Sequence, residues 1–130
     1  MTSSSEALTR GIRVQVQSRY LAERSQPEDS QWLFVYQVRI ANEGDETARL
    51  ISRHWVITDG NGHIEEVKGE GVVGEQPVLE PGEFFEYTSA CPLKTPFGSM
   101  EGTYQMVTSQ GEAFDVRIAP FSLAEPYAIN

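Results

Sequence analysis

The feature that most constrains this chain is the period-two alternation of its apolar residues. Ile12, Val14 and Val16 alternate with Arg13, Gln15 and Gln17, the pattern of a strand with one buried and one wet face. Trp32, Phe34, Tyr36, Val38 and Ile40 repeat it, as do Phe85, Tyr87, Ser89 and Cys91. Residues 103–108 and the set Phe114, Val116 and Ile118 form a last pair around Gln110-Gly111. Residues 49–57 carry apolar side chains on both faces, which marks a longer or more central strand. Asn61-Gly62 separates that run from residues 63–67 and is a hairpin signal, because both residues tolerate positive φ. Pro81-Gly82 marks a further turn. No window shows a helical stripe that could supply the crossover of a parallel sheet. The expected fold is all-β: an antiparallel sandwich or barrel with Trp32 and Trp55 as core rings.

A chain of 130 residues forms one domain, over residues 1–130, and buries enough surface to fold without metals or disulfides. Residues 22–30 read as a solvated connection, and residues 68–82, rich in Gly and Pro, as a long loop. Residues 1–10 and 125–130 lie outside the alternation and are expected to be flexible. A net charge of −9 argues against nucleic acid and against an anionic membrane surface. The longest apolar run, residues 32–36, is far too short to span a bilayer. The start lacks the basic and apolar segments of a secretory signal, and Cys91 stands alone. A lone cysteine fits a reducing compartment, so the expected location is the cytoplasm.

Gly69, Gly71 and Gly74 spell G-x-G-x-x-G. In a dinucleotide site such glycines follow a strand and open a helix whose N–H groups hold pyrophosphate. Pro77 follows three residues later and no helical period continues, so that context is missing. Two readings remain: a backbone nest for pyrophosphate or a nucleotide at Lys68, Gly69, Gly71 and Gly74, or a loop whose glycines only permit its turns. Val72 and Val73 are expected on the exposed loop, where they would meet a protein partner.

No catalytic set emerges. Ser89, Ser99 and Cys91 have no histidine near them in sequence, and no G-x-S-x-G elbow is present. Cys91 continues a buried alternation and reads as an inert core thiol. His54 reads as a cross-strand or wet-face residue and His63 as a polar residue after a turn. The carboxylates Glu65, Glu66, Glu70, Glu75, Glu80, Glu83 and Glu86 lack chelating spacing and read as a solvated acidic face, so no metal site is expected.

Several stretches in order resemble the ApaG family, also called CorD: RHWVITD (residues 53–59), VKGEGVVGEQP (67–77), LEPG (79–82), YTS (87–89) and GSMEGTYQM (98–106). Ile12-Arg13-Val14 and Pro120-Phe121 extend the likeness over nearly the whole chain. The resemblance implies an immunoglobulin/fibronectin type III-like β-sandwich. It also implies a small bacterial protein linked to cobalt and magnesium homeostasis, and the family's glycine motif is read as a pyrophosphate loop. Related eukaryotic domains look like partner-binding modules. The function expected is therefore a non-catalytic binding module without a cofactor, for a protein partner not yet identified; the alternative is a small-anion binder at residues 69–74.

Overall fold

The computed structural model describes residues 2–126; the flexibility expected at residues 1 and 127–130 falls outside the described residues. Nine strands follow in order: β1 Thr2–Thr9, β2 Ile12–Tyr20, β3 Trp32–Asn42, β4 Ala48–Asp59, β5 Ile64–Glu70, β6 Val78–Leu79, β7 Phe84–Leu93, β8 Phe97–Thr108 and β9 Ala113–Ala124. One sheet has the order β1-β2-β3-β7 and the other β5-β4-β8-β9, with β6 paired to the start of β4. All pairings are antiparallel, and the whole is an immunoglobulin/fibronectin type III-like sandwich. The polar connection at residues 22–30 holds two short 3-10 turns, Ala22–Arg24 and Pro27–Asp29.

The inward residues meet the alternation read from the sequence. Val14, Phe34, Val38, Ile40, Tyr104, Met106 and Leu123 are fully buried. Trp55 of β4 packs edge-on against Tyr36 of β3 at 5.4 Å between centroids, Tyr104 of β8 at 6.3 Å and Phe121 of β9 at 6.0 Å. The cluster therefore spans both sheets. The Tyr87 and Tyr104 hydroxyls share a short hydrogen bond across the same gap, so neither buried phenol is left unpaired.

The start of the chain overturns an expectation. Residues 2–9 are not a loose end but strand β1, in register with β2 from Thr2↔Arg19 to Thr9↔Ile12. Arg10 (φ 48°) and Gly11 (φ 83°) make the two-residue turn with positive φ at both positions that matches strand twist. The strand is hidden in the sequence because its inner face is small and polar. Ser5 Oγ donates to the Ala119 carbonyl at 2.8 Å, and Ser3 Oγ accepts from the Ser122 N–H at 3.0 Å. Ser18 of β2 donates to the Ser122 carbonyl at 2.7 Å. These bonds lace one side of the sandwich shut, joining β1 and β2 to β9. On the opposite side β5 and β7 are edge strands, each with one neighbour in its sheet among the described residues.

The two tryptophans separate. Trp55 is buried, whereas Trp32, expected as a core ring, is half-buried at the start of β3. Trp55→Ala should destabilise the fold by about 3–5 kcal/mol, and Trp32→Ala by roughly half of that. Urea denaturation of both variants at unchanged m-value checks the order; equal losses would contradict the difference in burial.

Candidate functional site

The open side is built from the β4–β5 hairpin. Gly62 (φ 83°) alone takes positive φ there, its N–H bonding the Asp59 carbonyl at 3.1 Å. Asp59 Oδ1 accepts from the Asn61 and His63 N–H groups at 2.8 and 3.0 Å, so a side chain fixes the corner that Asn-Gly was expected to make by itself. From there β5 runs to Glu70. Lys68 and Gly69 are thus strand residues, and the loop expected over residues 68–82 is shorter, since β5 takes its first three residues and β6 lies within it.

Arg53 explains the extra length. It points inward on β4 opposite Gly69, and a Cβ on Gly69 would stand 2.8 Å from the guanidinium. Glycine lets the cation lie against the backbone, where Nη1 donates to the carbonyls of Glu70 at 3.0 Å and Gly71 at 2.9 Å. Gly71 (φ 63°) donates its own N–H to Ile51 at 2.8 Å, and a Cβ there would strike the Glu75 carbonyl. Val72 and Glu75 then exchange N–H···O bonds of 2.8 and 2.9 Å around Val73 and Gly74. Val73 (φ 42°) and Gly74 (φ 84°) form another turn with positive φ at both positions. A β-branched residue in that region is strained.

The six loop residues singled out from sequence fall in different places. Val72, expected to be exposed, is completely buried because the positive φ of Gly71 turns it into the core. Val73 is 57 % exposed at the tip. Gly71 and Gly74 shape the turn, Gly69 seats Arg53, and the N–H groups of Gly71, Val72 and Glu75 bond within the protein. Lys68 lies exposed on the outer face of β5, in register with His54. His54 bonds Glu66 across the strands at 2.7 Å, the cross-strand role expected of it.

At the other end of β5 and β7 lies a cleft of about 770 Å³, which the sequence did not reveal. Trp32, Leu33, Ile57, Ile64, Pro92 and Leu93 give it apolar walls, and Arg24, Asp29, Asp59, Glu65 and Lys94 a charged rim that His63 joins. Trp32 donates its indole N–H to Glu125 at 2.9 Å, and Glu125 in turn donates its N–H to Pro96. These two hydrogen bonds hold Glu125, the first residue of the segment 125–130 expected to be flexible. Two signals could have found the cleft: Trp32, the aromatic residue that opens an otherwise buried alternation, and Pro92, a proline inside a strand, which belongs on an edge.

Among the described residues no three of the His, Cys, Asp and Glu side chains converge to hold a metal ion. Cys91 is buried as expected, and burial, followed by the charge of Glu65, pushes its thiol up to about 12. Burial also pushes the Tyr87 and Tyr104 phenols well above their ordinary value. A thiolate nucleophile is therefore suppressed at neutral pH.

Comparison with known proteins agrees with this architecture. The ApaG domain family model matches residues 22–108. Protein ApaG of Anaeromyxobacter dehalogenans (strain 2CP-C) is 58 % identical over 126 residues, covering 97 % of this chain and 99 % of the relative. Protein ApaG of Rhodospirillum centenum is 59 % identical over 120 residues, covering 92 % of each. The crystal structure of the putative ApaA protein from Bordetella pertussis superposes with a TM-score of 0.87 at 54 % identity, covering 89 % of this chain and 94 % of that one.

Two outcomes follow from the loop and the thiol. Gly71→Ala should cost about 2 kcal/mol or more, since the Cβ meets a carbonyl at positive φ, and Gly74→Ala only about 1, its Cβ being free of contacts. Thermal or urea unfolding ranks them, and a reversed order would remove the Val72–Glu75 closure as the reason. Cys91 has its raised value only when folded, so the stability it contributes is complete below its unfolded value near 9 and is lost as pH rises through about 12. At pH 8 a disulfide reagent should modify it only as fast as the protein unfolds; rapid modification of the native protein would mean that the thiol is accessible.

Proposed function

This chain belongs to the ApaG family, and from that premise we propose that it is a non-catalytic protein-interaction module working in the cytoplasm. One observation carries the reading. Of the six large apolar side chains exposed among the described residues, four lie on the open side: Ile64 on β5, Val73 on the loop, Val78 on β6 and Phe84 on β7. The laced side contributes only Leu8. Exposed apolar groups gathered on one side mark an interaction surface, because each leaves hydration cost that a partner removes. The strain at Val73 supports the same reading, since a β-branched residue at positive φ persists where its position serves something else. The link to cobalt and magnesium homeostasis implied by the family resemblance is then carried by the partner rather than by a metal held on this chain.

Affinity capture from the native host with wild-type protein, Val73→Asp, Phe84→Asp and Leu8→Asp tests the module. A specific partner should be retained by wild type and Leu8→Asp and lost from the two variants on the open side. Equal retention by all four would remove the open side as the interface. Calorimetry with pyrophosphate separates the anion reading. Saturable binding below about 100 μM, lost in Gly71→Ala at unchanged fold, would favour a ligand at Lys68, Gly69, Gly71 and Gly74 over the module.

A further inference from the structure

We propose that the free edge of β7 is the recognition element, and that it takes an extended, cationic, apolar-containing segment of a partner chain by strand addition. This deepens the module reading and rests on it.

The geometry of β7 identifies which of its backbone groups are free. The Asn42 N–H bonds the Glu83 carbonyl at 2.9 Å, so the odd-numbered residues that continue this register face β3. Pro92 agrees, because it has no N–H and sits opposite Leu33 without breaking the ladder. The N–H and C=O groups of Phe84, Glu86, Thr88 and Ala90 therefore point away from β3, and the register is unbroken across all four. No strand of the described residues pairs with them. A strand with such a row of unpaired groups is a template for another chain.

The other free edge, β5, has the same kind of unpaired groups but is guarded differently. Its outward side chains are Ile64, Glu66, Lys68 and Glu70, three of them charged, which is how natural edges repel an incoming strand. Those of β7 are Phe84, Glu86, Thr88, Ala90 and Pro92, with one charge. That charge faces Arg39 across the ladder, and the Arg39 guanidinium lies 4.2 Å from the centre of the Phe84 ring. Of the two edges, β7 is the less defended.

Apolar sites lie at both ends of this edge. At its start, Pro77, Val78, Phe84 and Phe85 line a shallow depression of about 450 Å³. At its end, Pro92 and Leu93 enter the cleft beside Trp32 and Ile57. Nine residue steps separate Phe84 from Leu93, roughly 30 Å of strand, so one extended segment of about ten residues reaches both. Main-chain bonds along the edge would supply affinity and the two apolar sites specificity. The sign of the partner's charge follows from the border. Glu80, Glu83 and Glu86 flank the start, and Asp29, Asp59 and Glu65 rim the cleft, six carboxylates against the four cations Arg39, Arg49, Arg24 and Lys94. Carboxylates outnumber cations there as they do in the whole chain, and a lysine- or arginine-bearing segment complements them.

The test uses a displayed library of random 12-residue peptides selected on the intact chain, followed by titration of the strongest binders. Selected peptides should carry a net positive charge and at least two apolar residues. Thr88→Pro removes a free-edge N–H without touching the bonds to β3, and it should weaken binding by about tenfold or more. Lys68→Pro makes the equivalent change on β5 and should leave affinity within about twofold. If Thr88→Pro fails to fold, amide hydrogen exchange of the wild-type complex replaces it: the Glu86, Thr88 and Ala90 amides should become protected and the Glu66 and Lys68 amides should not. The reverse pattern on β5, selected peptides of negative charge, or no binders at all would overturn strand addition at β7. A cellular partner lost from Val73→Asp and Phe84→Asp but retained by Thr88→Pro would overturn strand addition alone and leave the module standing; retention by all three variants would overturn both.

Discussion

Edge-on packing of the Trp55 indole against Tyr36, Tyr104 and Phe121 ties the two sheets together, and the open side takes its form from that contact. Trp55 faces inward on β4, so Arg53 and Ile57, two positions to either side, face inward as well. Arg53 meets Gly69 and closes the glycine loop, whereas Ile57 becomes a wall of the cleft. Three successive inward positions of one strand therefore set the core and both ends of the candidate interface. Rings that meet edge to face are worth more than their buried area alone, which gives this cluster a defined geometry rather than mere bulk.

The sandwich is asymmetric for a physical reason. On one side, serine hydroxyls bond carbonyls and N–H groups of the opposite sheet, and small side chains let β1 approach β9 closely. On the other side β5 and β7 end their sheets; the Tyr87–Tyr104 hydroxyl pair spans the gap, Arg53 ties β4 to the glycine loop, and the cleft opens at the far end. Burial without loss of hydrogen bonds is satisfied there by side chains, leaving the outward edges unpaired. An edge is normally a liability; its light protection on β7 is what gives this side its functional interest.

Much of the fold was legible in the sequence because alternation reports directly which face of a strand is wet. Val14, Phe34, Tyr36, Val38 and Ile118 are all buried as the pattern requires. β1 was not legible. Its inner residues Ser3, Ser5, Ala7 and Thr9 are small or polar, and its large apolar residue, Leu8, points outward, so hydropathy inverts the true faces. The glycine motif was legible as a feature but not in its meaning. Gly69 serves the approach of an arginine 16 positions earlier in the chain, and nothing in the motif names that partner.

The sequence by itself determined the class of fold, the inward residues of most strands, the buried thiol and the family to which the chain belongs. These depend on local pattern, in which each residue reports its own environment through its neighbours one or two places away. Only the tertiary structure decided that Val72 is core while Val73 is exposed, that Trp32 walls a cleft, and that the free groups of β7 are those of Phe84, Glu86, Thr88 and Ala90. Those outcomes turn on backbone dihedrals at a few glycines and on which strands end a sheet. Both are fixed by contacts between residues far apart in the chain, and alternation along a strand carries no information about what lies beside it.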